Sequence, residues 1–439
     1  MNRNAMQQLL DWKDNPKRKP LILYGARQVG KTWLMKEFGR QYFKSVVYIN
    51  CDNNRNMQIL FEGDYNVDRL LRGFYLETGV EINPNETLII LDEIQEIPKA
   101  LTSLKYFCED ERHNYFIIAA GSLLGITVHP GVSFPVGKVE SLNIYPLSFS
   151  EFLEATGNKR YVDLIQQQDY EMLEIFKDKL IESLKTYYYV GGMPECVMKY
   201  IENGNFSDVR KIQDQIIKDY KGDFFKHNPS LGDRITYVWD SLISQLAKEN
   251  KKFIYGVVRP GARAREFEMA VEWLVNAGLV IKVDRIKKGA LPLNSYRDLS
   301  SFKLYVLDIG LLGAMGGLSA KTIINGNEIF SEFKGSLTEN YIAQEIVAEL
   351  KLQPYYWSAE NSTGEIDFII QNDDNVIPIE VKAGENLKAK SLKVFIEKNN
   401  LPYGVRTSMT SFRKEDKLIN LPLYAFFSLI THVLNKSSE

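Results

Sequence analysis

The eight residues GARQVGKT at 25–32 constrain this chain more than any other stretch. They close an apolar run, LILYG (21–25), and open a segment of helical character, TWLMKEFGRQYF (32–43). A GxxxxGK[ST] run between strand and helix is the signature of a phosphate-binding loop. Gly25 and Gly30 permit backbone angles that a side chain forbids, so the amides of Ala26, Arg27, Gln28 and Val29 can crowd around an anion. The helix N-terminus that follows adds its own unsatisfied N–H groups. Lys31 is expected to reach the terminal phosphates and the Thr32 hydroxyl to ligate magnesium, so ATP and Mg²⁺ are the expected cofactors.

A second element supports the first. TLIILDE (87–93) is an apolar strand ending in Asp92–Glu93. Asp92 is placed to hold Mg²⁺, a hard cation that takes few carboxylates and keeps waters. Glu93 is the expected activator of the attacking water, which favours hydrolysis over mere binding. YFIIAAGS (115–122) ends in Gly121–Ser122, where Ser122 either contacts the γ-phosphate or caps the next helix. No position announces an arginine finger, and Lys138 and Arg112 are the candidates for that charge.

Short continuous β-rich runs at 21–25, 45–51, 87–93 and 115–122 alternate with helical stretches, the pattern of a parallel sheet buried on both faces. The expected fold is α/β, with four segments. Residues 1–155 form the P-loop core, 156–228 a helical lid or linker, 229–325 a winged-helix-like module and 326–439 a second α/β domain. In the third, helices near 233–250 and 264–286 precede a strand pair interrupted by KKGALP. In the fourth, the helix LTENYIAQEIVAEL (337–350) precedes EIDFIIQ and VIPIEVKA, joined by NDDN as a hairpin turn.

Bulk composition narrows the class. At 439 residues the chain exceeds one core. A net charge of −2 is not that of a dedicated nucleic-acid binder, although a local patch can still form. Three scattered cysteines and four scattered histidines indicate neither a zinc site nor a disulfide framework. No run is long and apolar enough to span a membrane, so the expected location is cytoplasmic.

GARQVGKT, LDEIQEIP, AAGS and NIYPLSFSEFL (143–153) together resemble the AAA-type ATPases fused to a C-terminal domain of unknown function, DUF4143. YVGGMPECV (189–197), KLYVLDIGLL (303–312), GSLTENYIAQEI (335–346) and EIDFII…IPIEVKA resemble the rest of that architecture in order. The resemblance implies a bacterial or archaeal cytosolic ATPase. Where that family carries Gly-Arg before its PLSF segment, this chain has Gly137–Lys138, which keeps the charge but loses the bidentate fork.

Glu380 and Lys382 are two apart on an expected strand and share one face. With Asp367 on the preceding strand and Glu339 on the upstream helix, they resemble the PD-(D/E)xK nuclease, or restriction-endonuclease-like, fold. That resemblance implies Asp367 and Glu380 as metal ligands, Lys382 as base or charge stabiliser and Glu339 as an accessory acid. The bland reading is a solvated hairpin face of paired charges. Basic residues at Arg259, Arg263 and Arg265, and at Lys388, Lys390 and Lys393, are candidates to track a phosphate backbone. The expected partners are therefore ATP and nucleic acid, with a homo-oligomer as the setting for any finger supplied in trans. The competing expectation is a nucleotide-switched regulator that works through protein partners and cuts nothing.

Overall fold

Apolar runs without polar alternation can be strands only where both sheet faces are covered, and the first unit of the chain is built that way. The computed structural model describes residues 2–121, 134–227, 229–248, 250–325, 331–360, 364–384 and 389–434. These divide into two compact units, 2–145 and 146 onward.

In the first unit, β1 (Leu21–Tyr24), β2 (Ser45–Asn50), β3 (Thr87–Asp92), β4 (Phe116–Ala120) and β5 (Glu140–Asn143) form one sheet in the order β2-β3-β4-β1-β5. Every pairing is parallel. Strands β3 and β4 are buried along their whole length, as their unbroken apolar sequences require. Helices Lys31–Tyr42, Val67–Thr78 and Pro98–Glu109 are among those that bury apolar stripes in this unit. One cluster packs Ile49, Ile89, Leu91 and Ile117 against Phe61, Phe74 and Leu104. Because all strands run the same way, the loops after β1 and β3 emerge at one edge, with β4 between them.

The second unit starts at Pro146, so the helix Phe149–Ala155 groups with it rather than with the P-loop unit. Among the described residues from 149 to 246 the regular elements are all helices, including Lys177–Val190, Phe206–His227 and Gly232–Leu246. Helix Ala264–Asn276 then leads into a hairpin of β6 (Val280–Ile286) and β7 (Arg297–Val306). The helix–helix–hairpin outline read from the sequence is present, but its hairpin is not a free wing. It continues a sheet with β8 (Tyr355–Ser358), β9 (Glu365–Asn372), β10 (Asn375–Val381), β11 (Gly404–Ser408), β12 (Arg413–Glu415) and β13 (Leu418–Pro422). The order is β12-β13-β11-β10-β9-β8-β6-β7. The boundary expected near 325–326 therefore separates strands of one sheet. The reason is that β8 pairs in parallel with β6 through Asp284↔Tyr355, so backbone hydrogen bonds tie the two segments together.

The expected hairpin is β9–β10, with Asn372 opposite Asn375 and Asp373 at φ 49°, a left-handed angle that aspartate tolerates. The helix Ser331–Ala348 is buried almost all round, and its polar side chains serve as backbone partners for its neighbours. Asn340 accepts from Val306 N and donates to Val306 O. Gln344 accepts from Ile309 N and donates to the Tyr187 hydroxyl. Glu345 accepts from Phe149 N at 2.8 Å, and its burial raises its pKa well above the usual carboxylate range. Asp308 binds Gly192 N at 2.6 Å and Leu311 N at 2.9 Å. Gly191 lies at φ 72°, and a Cβ there would stand 2.3 Å from Asp308 Oδ1. The conspicuous motifs YVGGMPECV, KLYVLDIGLL and GSLTENYIAQEI thus meet in one buried polar network. No helix among the described residues is long and apolar enough to cross a membrane.

Candidate nucleotide site

The loop after β1 takes the conformation its glycines permit. Gly25 has φ 141°, and a Cβ there would lie 2.2 Å from the Ile144 carbonyl oxygen. Gly30, at φ 94°, sits at the N-cap of the helix Lys31–Tyr42, and Gln28 also takes a left-handed φ of 64°. Between them Ala26 and Val29 are buried, which fixes the loop from below. Arg3, itself buried, donates to Val29 O at 3.1 Å and Tyr145 O at 2.7 Å. Nothing in the sequence pattern marked Arg3. The one available signal was an arginine standing just ahead of the first short helix.

Lys31 is 8% exposed and donates to the carbonyls of Gly25 and Ala26, each at 2.8 Å. Burial lowers its pKa to about 8, against the opposing pull of Glu93 and Asp92. The structure brings together the residues the two motifs named. Thr32 Oγ1 donates to Asp92 Oδ2 at 2.7 Å, and Asp92 Oδ1 accepts from Glu93 N at 3.1 Å. A residue that sequence reasoning missed completes the set: the Tyr48 hydroxyl donates to Asp92 Oδ2 at 3.0 Å. Register explains its reach, since β2 pairs with β3 and Tyr48 stands opposite Ile90. Burial, then the Asp92 charge, raises the Tyr48 pKa and keeps the phenol a donor. The same pair of causes pushes the Cys51 thiol up to about 12.

Glu93 takes a left-handed backbone, φ 50° and ψ 43°, so the chain turns sharply as it leaves β3. Its Oε2 accepts from Gln95 Nε2 at 2.6 Å. A threonine hydroxyl beside a buried carboxylate is a pair of hard oxygen donors, and such a pair fits Mg²⁺.

Two of the expected residues, Lys138 and Arg112, stand elsewhere. Ser122 lies outside the described residues, as does Lys388. Lys138 precedes β5 at the edge where strands begin, whereas the phosphate loop follows the end of β1. Its ammonium pairs with Glu109 at 2.9 Å. Arg112 pairs with Asp68 and Asp110.

The acidic residues of the second unit are distributed differently from the expected metal-binding set. Glu339 accepts from Lys251 at 2.8 Å and from Tyr305 at 2.9 Å. Asp367 accepts from Val381 N at 2.7 Å, while burial and the Glu339 charge raise its pKa to about 7. Glu380 pairs with Lys382 at 2.6 Å, and its other oxygen is buried without a hydrogen-bond partner among the described residues. A cation absent from the motif lies among these acids. Lys303 is 1% exposed, ion-paired to Glu365, and held charged against its burial by Glu339, Glu365 and Asp367. Among the described residues no three carboxylate, histidine or cysteine side chains gather as a metal site. The residues present do not fit the metal that the nuclease resemblance implies.

Family models agree with the first unit and the tail. Residues 17–153 match the AAA domain, residues 181–322 a domain of unknown function, DUF8612, and residues 334–426 a domain of unknown function, DUF4143. The chain therefore carries an AAA domain and, at its other end, a DUF4143 domain. The segments YVGGMPECV and KLYVLDIGLL fall in the DUF8612 match rather than in DUF4143. A relative, "Uncharacterized protein MJ1637" of Methanocaldococcus jannaschii, is 23% identical over 95% of this chain and 86% of its own length. Three solved structures overlap weakly. ORC1 of Aeropyrum pernix, in complex with DNA, is 10% identical over 72% of this chain and 93% of its own, with a TM-score of 0.27. Cdc6p of Pyrobaculum aerophilum is 13% identical over 73% and 93%, with a TM-score of 0.26. AMPPCP-bound DnaA of Aquifex aeolicus is 16% identical over 62% and 88%, also at 0.26.

Proposed function

We propose that the first unit binds ATP with Mg²⁺ and hydrolyses it. The observation that carries this reading is the meeting of the phosphate loop with the Asp92–Glu93 turn through the 2.7 Å Thr32–Asp92 hydrogen bond. The amides of 26–32 and the Lys31 ammonium would hold the phosphates. Thr32 and Asp92 would hold Mg²⁺, which supplies charge neutralisation on the phosphate oxygens when bound. Tyr48 fixes the orientation of the Asp92 carboxylate, and Glu93 would accept a proton from the attacking water. Phosphate release from the purified full chain with Mg²⁺ and ATP tests this. Turnover surviving in both Lys31→Ala and Glu93→Gln would refute it.

For what hydrolysis drives, the reading we favour is action on nucleic acid. Its support is the exposed run Arg259, Arg263 and Arg265 leading into the helix Ala264–Asn276. Absence of DNA and RNA binding at low salt, with and without ATP, would count against it. The position of Lys303 supports a nuclease-like tail that does not cut. That observation also favours the second reading, a nucleotide-switched regulator acting through protein partners. A metal-dependent cleavage assay comparing the wild type with Asp367→Ala separates cutting from non-cutting tails.

A further inference from the structure

Gln95 is 5% exposed, on the single helical turn that follows β3. Its two amide ends have different surroundings. Nε2 donates to the Glu93 carboxylate at 2.6 Å, whereas Oε1 is buried and has no hydrogen-bond partner among the described residues. A buried amide oxygen left without a donor costs free energy comparable to a lost hydrogen bond, so such a group in a native protein calls for an explanation. An apolar side chain of similar size would avoid that cost. The turn that carries Gln95 is also costly, because Glu93 adopts a left-handed backbone that a side chain disfavours.

We propose that Gln95 is the positioning residue for Glu93, and that its carbonyl oxygen receives the second O–H of the attacking water. The chemistry asks for two acceptors. As the water oxygen bonds to the γ-phosphorus, the bond from that phosphorus to the bridging oxygen breaks and ADP leaves with the electron pair. One water proton passes to the Glu93 carboxylate, and the other stays on the new phosphate oxygen, hydrogen-bonded to Gln95 Oε1. Glu93 then returns its proton to the product or to solvent. The Nε2–H holds the carboxylate facing the same point, so a single side chain orients both base and nucleophile.

This rests on the assignment of Glu93 above, and the test separates the two. ATP affinity, steady-state turnover and melting temperature are measured on the full chain for wild type, Glu93→Gln, Gln95→Met, Gln95→Glu and the double variant Glu93→Gln with Gln95→Met. Methionine removes the orphaned oxygen at similar volume, so the melting temperature of Gln95→Met is expected to be unchanged or higher. Its kcat is expected to fall by roughly tenfold to a hundredfold, as for a misplaced catalytic group, with ATP affinity within about twofold of wild type. The double variant is expected to be no slower than Glu93→Gln. Gln95→Glu keeps an acceptor but loses the donor, and is expected to be as slow as Gln95→Met. Wild-type kcat in Gln95→Met with an inactive Glu93→Gln would overturn the Gln95 proposal alone. Wild-type kcat in Glu93→Gln would overturn the reading beneath it. A kcat loss matched by an equal loss of ATP affinity or of melting temperature would assign Gln95 a structural role, which also overturns the proposal.

Discussion

Lys303 on β7 and Glu365 on β9 form an ion pair in which the lysine ammonium is almost completely buried. Glu339 and Asp367 add two more carboxylates to its field. The pair therefore neutralises a cluster that the sequence suggested would hold a metal. Removing one partner leaves the other charge buried and unbalanced, at a cost of about 3–5 kcal/mol. Lys303→Met should lower the denaturant midpoint of the full chain sharply. Combining it with Glu365→Gln should recover part of the loss. Urea titrations followed by circular dichroism check both, and an unchanged midpoint in Lys303→Met would contradict the compensating role.

Asp308 gives a pH signature. Burial raises its pKa to about 6, against the opposing hydrogen bonds from Gly192 N and other amides. An acid whose folded pKa lies above its unfolded value binds protons preferentially in the folded state. Its contribution to stability is full below the unfolded value near 3.9 and is lost as pH rises through about 6. Asp308→Asn removes that titration. The stability difference between wild type and Asp308→Asn should therefore change between pH 4 and pH 6 and be flat above pH 7. Denaturant melts across that range are the measurement.

Lys31 should make nucleotide affinity depend on pH. Burial lowers its pKa to about 8, so the free site loses its cation as pH passes that value. ATP affinity is expected to fall between pH 7 and pH 9 in the wild type, and Lys31→Ala should be weak throughout. Fluorescent-nucleotide titrations at three pH values decide it.

Gly25→Ala should disable the loop without touching a phosphate-binding side chain. The new Cβ would meet the Ile144 oxygen at 2.2 Å, and φ 141° is unsuited to any L side chain. A loss of at least tenfold in ATP affinity is expected, with the melting temperature of the chain lowered as well.

The arginine run is tested by salt. If Arg259, Arg263 and Arg265 contact phosphates, replacing all three with alanine should reduce the slope of log affinity against log salt by about 0.9 per lost duplex contact. Equal slopes in the variant and wild type would remove these residues from any nucleic-acid surface.

The parts legible in the sequence are those where local chemistry decides the outcome. GARQVGKT needs its glycines at fixed positions, and TLIILDE can only be a buried strand ending in acid. The NDDN turn likewise declares itself. The parts that were not legible depend on residues brought together from far apart. Tyr48 reaches Asp92 only through strand register, and Arg3 reaches Val29 only through the packing of an N-terminal helix. Lys303 reads in sequence as one of several polar residues in the strand RDLSSFKLYV, and nothing local pairs it with Glu365. The hairpin 280–306 looked like a wing because a strand edge does not announce its partner, and β8 lies some fifty residues further on.

The helix Ser331–Ala348 has a consequence for how the protein is made. Its buried Asn340, Gln344 and Glu345 supply partners to Val306, Ile309 and Phe149, groups synthesised earlier. As the chain leaves the ribosome, the strands of the first unit are all available once residue 145 has emerged. The Phe149 amide must instead wait for Glu345, 196 residues further along the chain. That interval is a window in which the nascent chain would depend on chaperones, and in which a pause in translation would matter most.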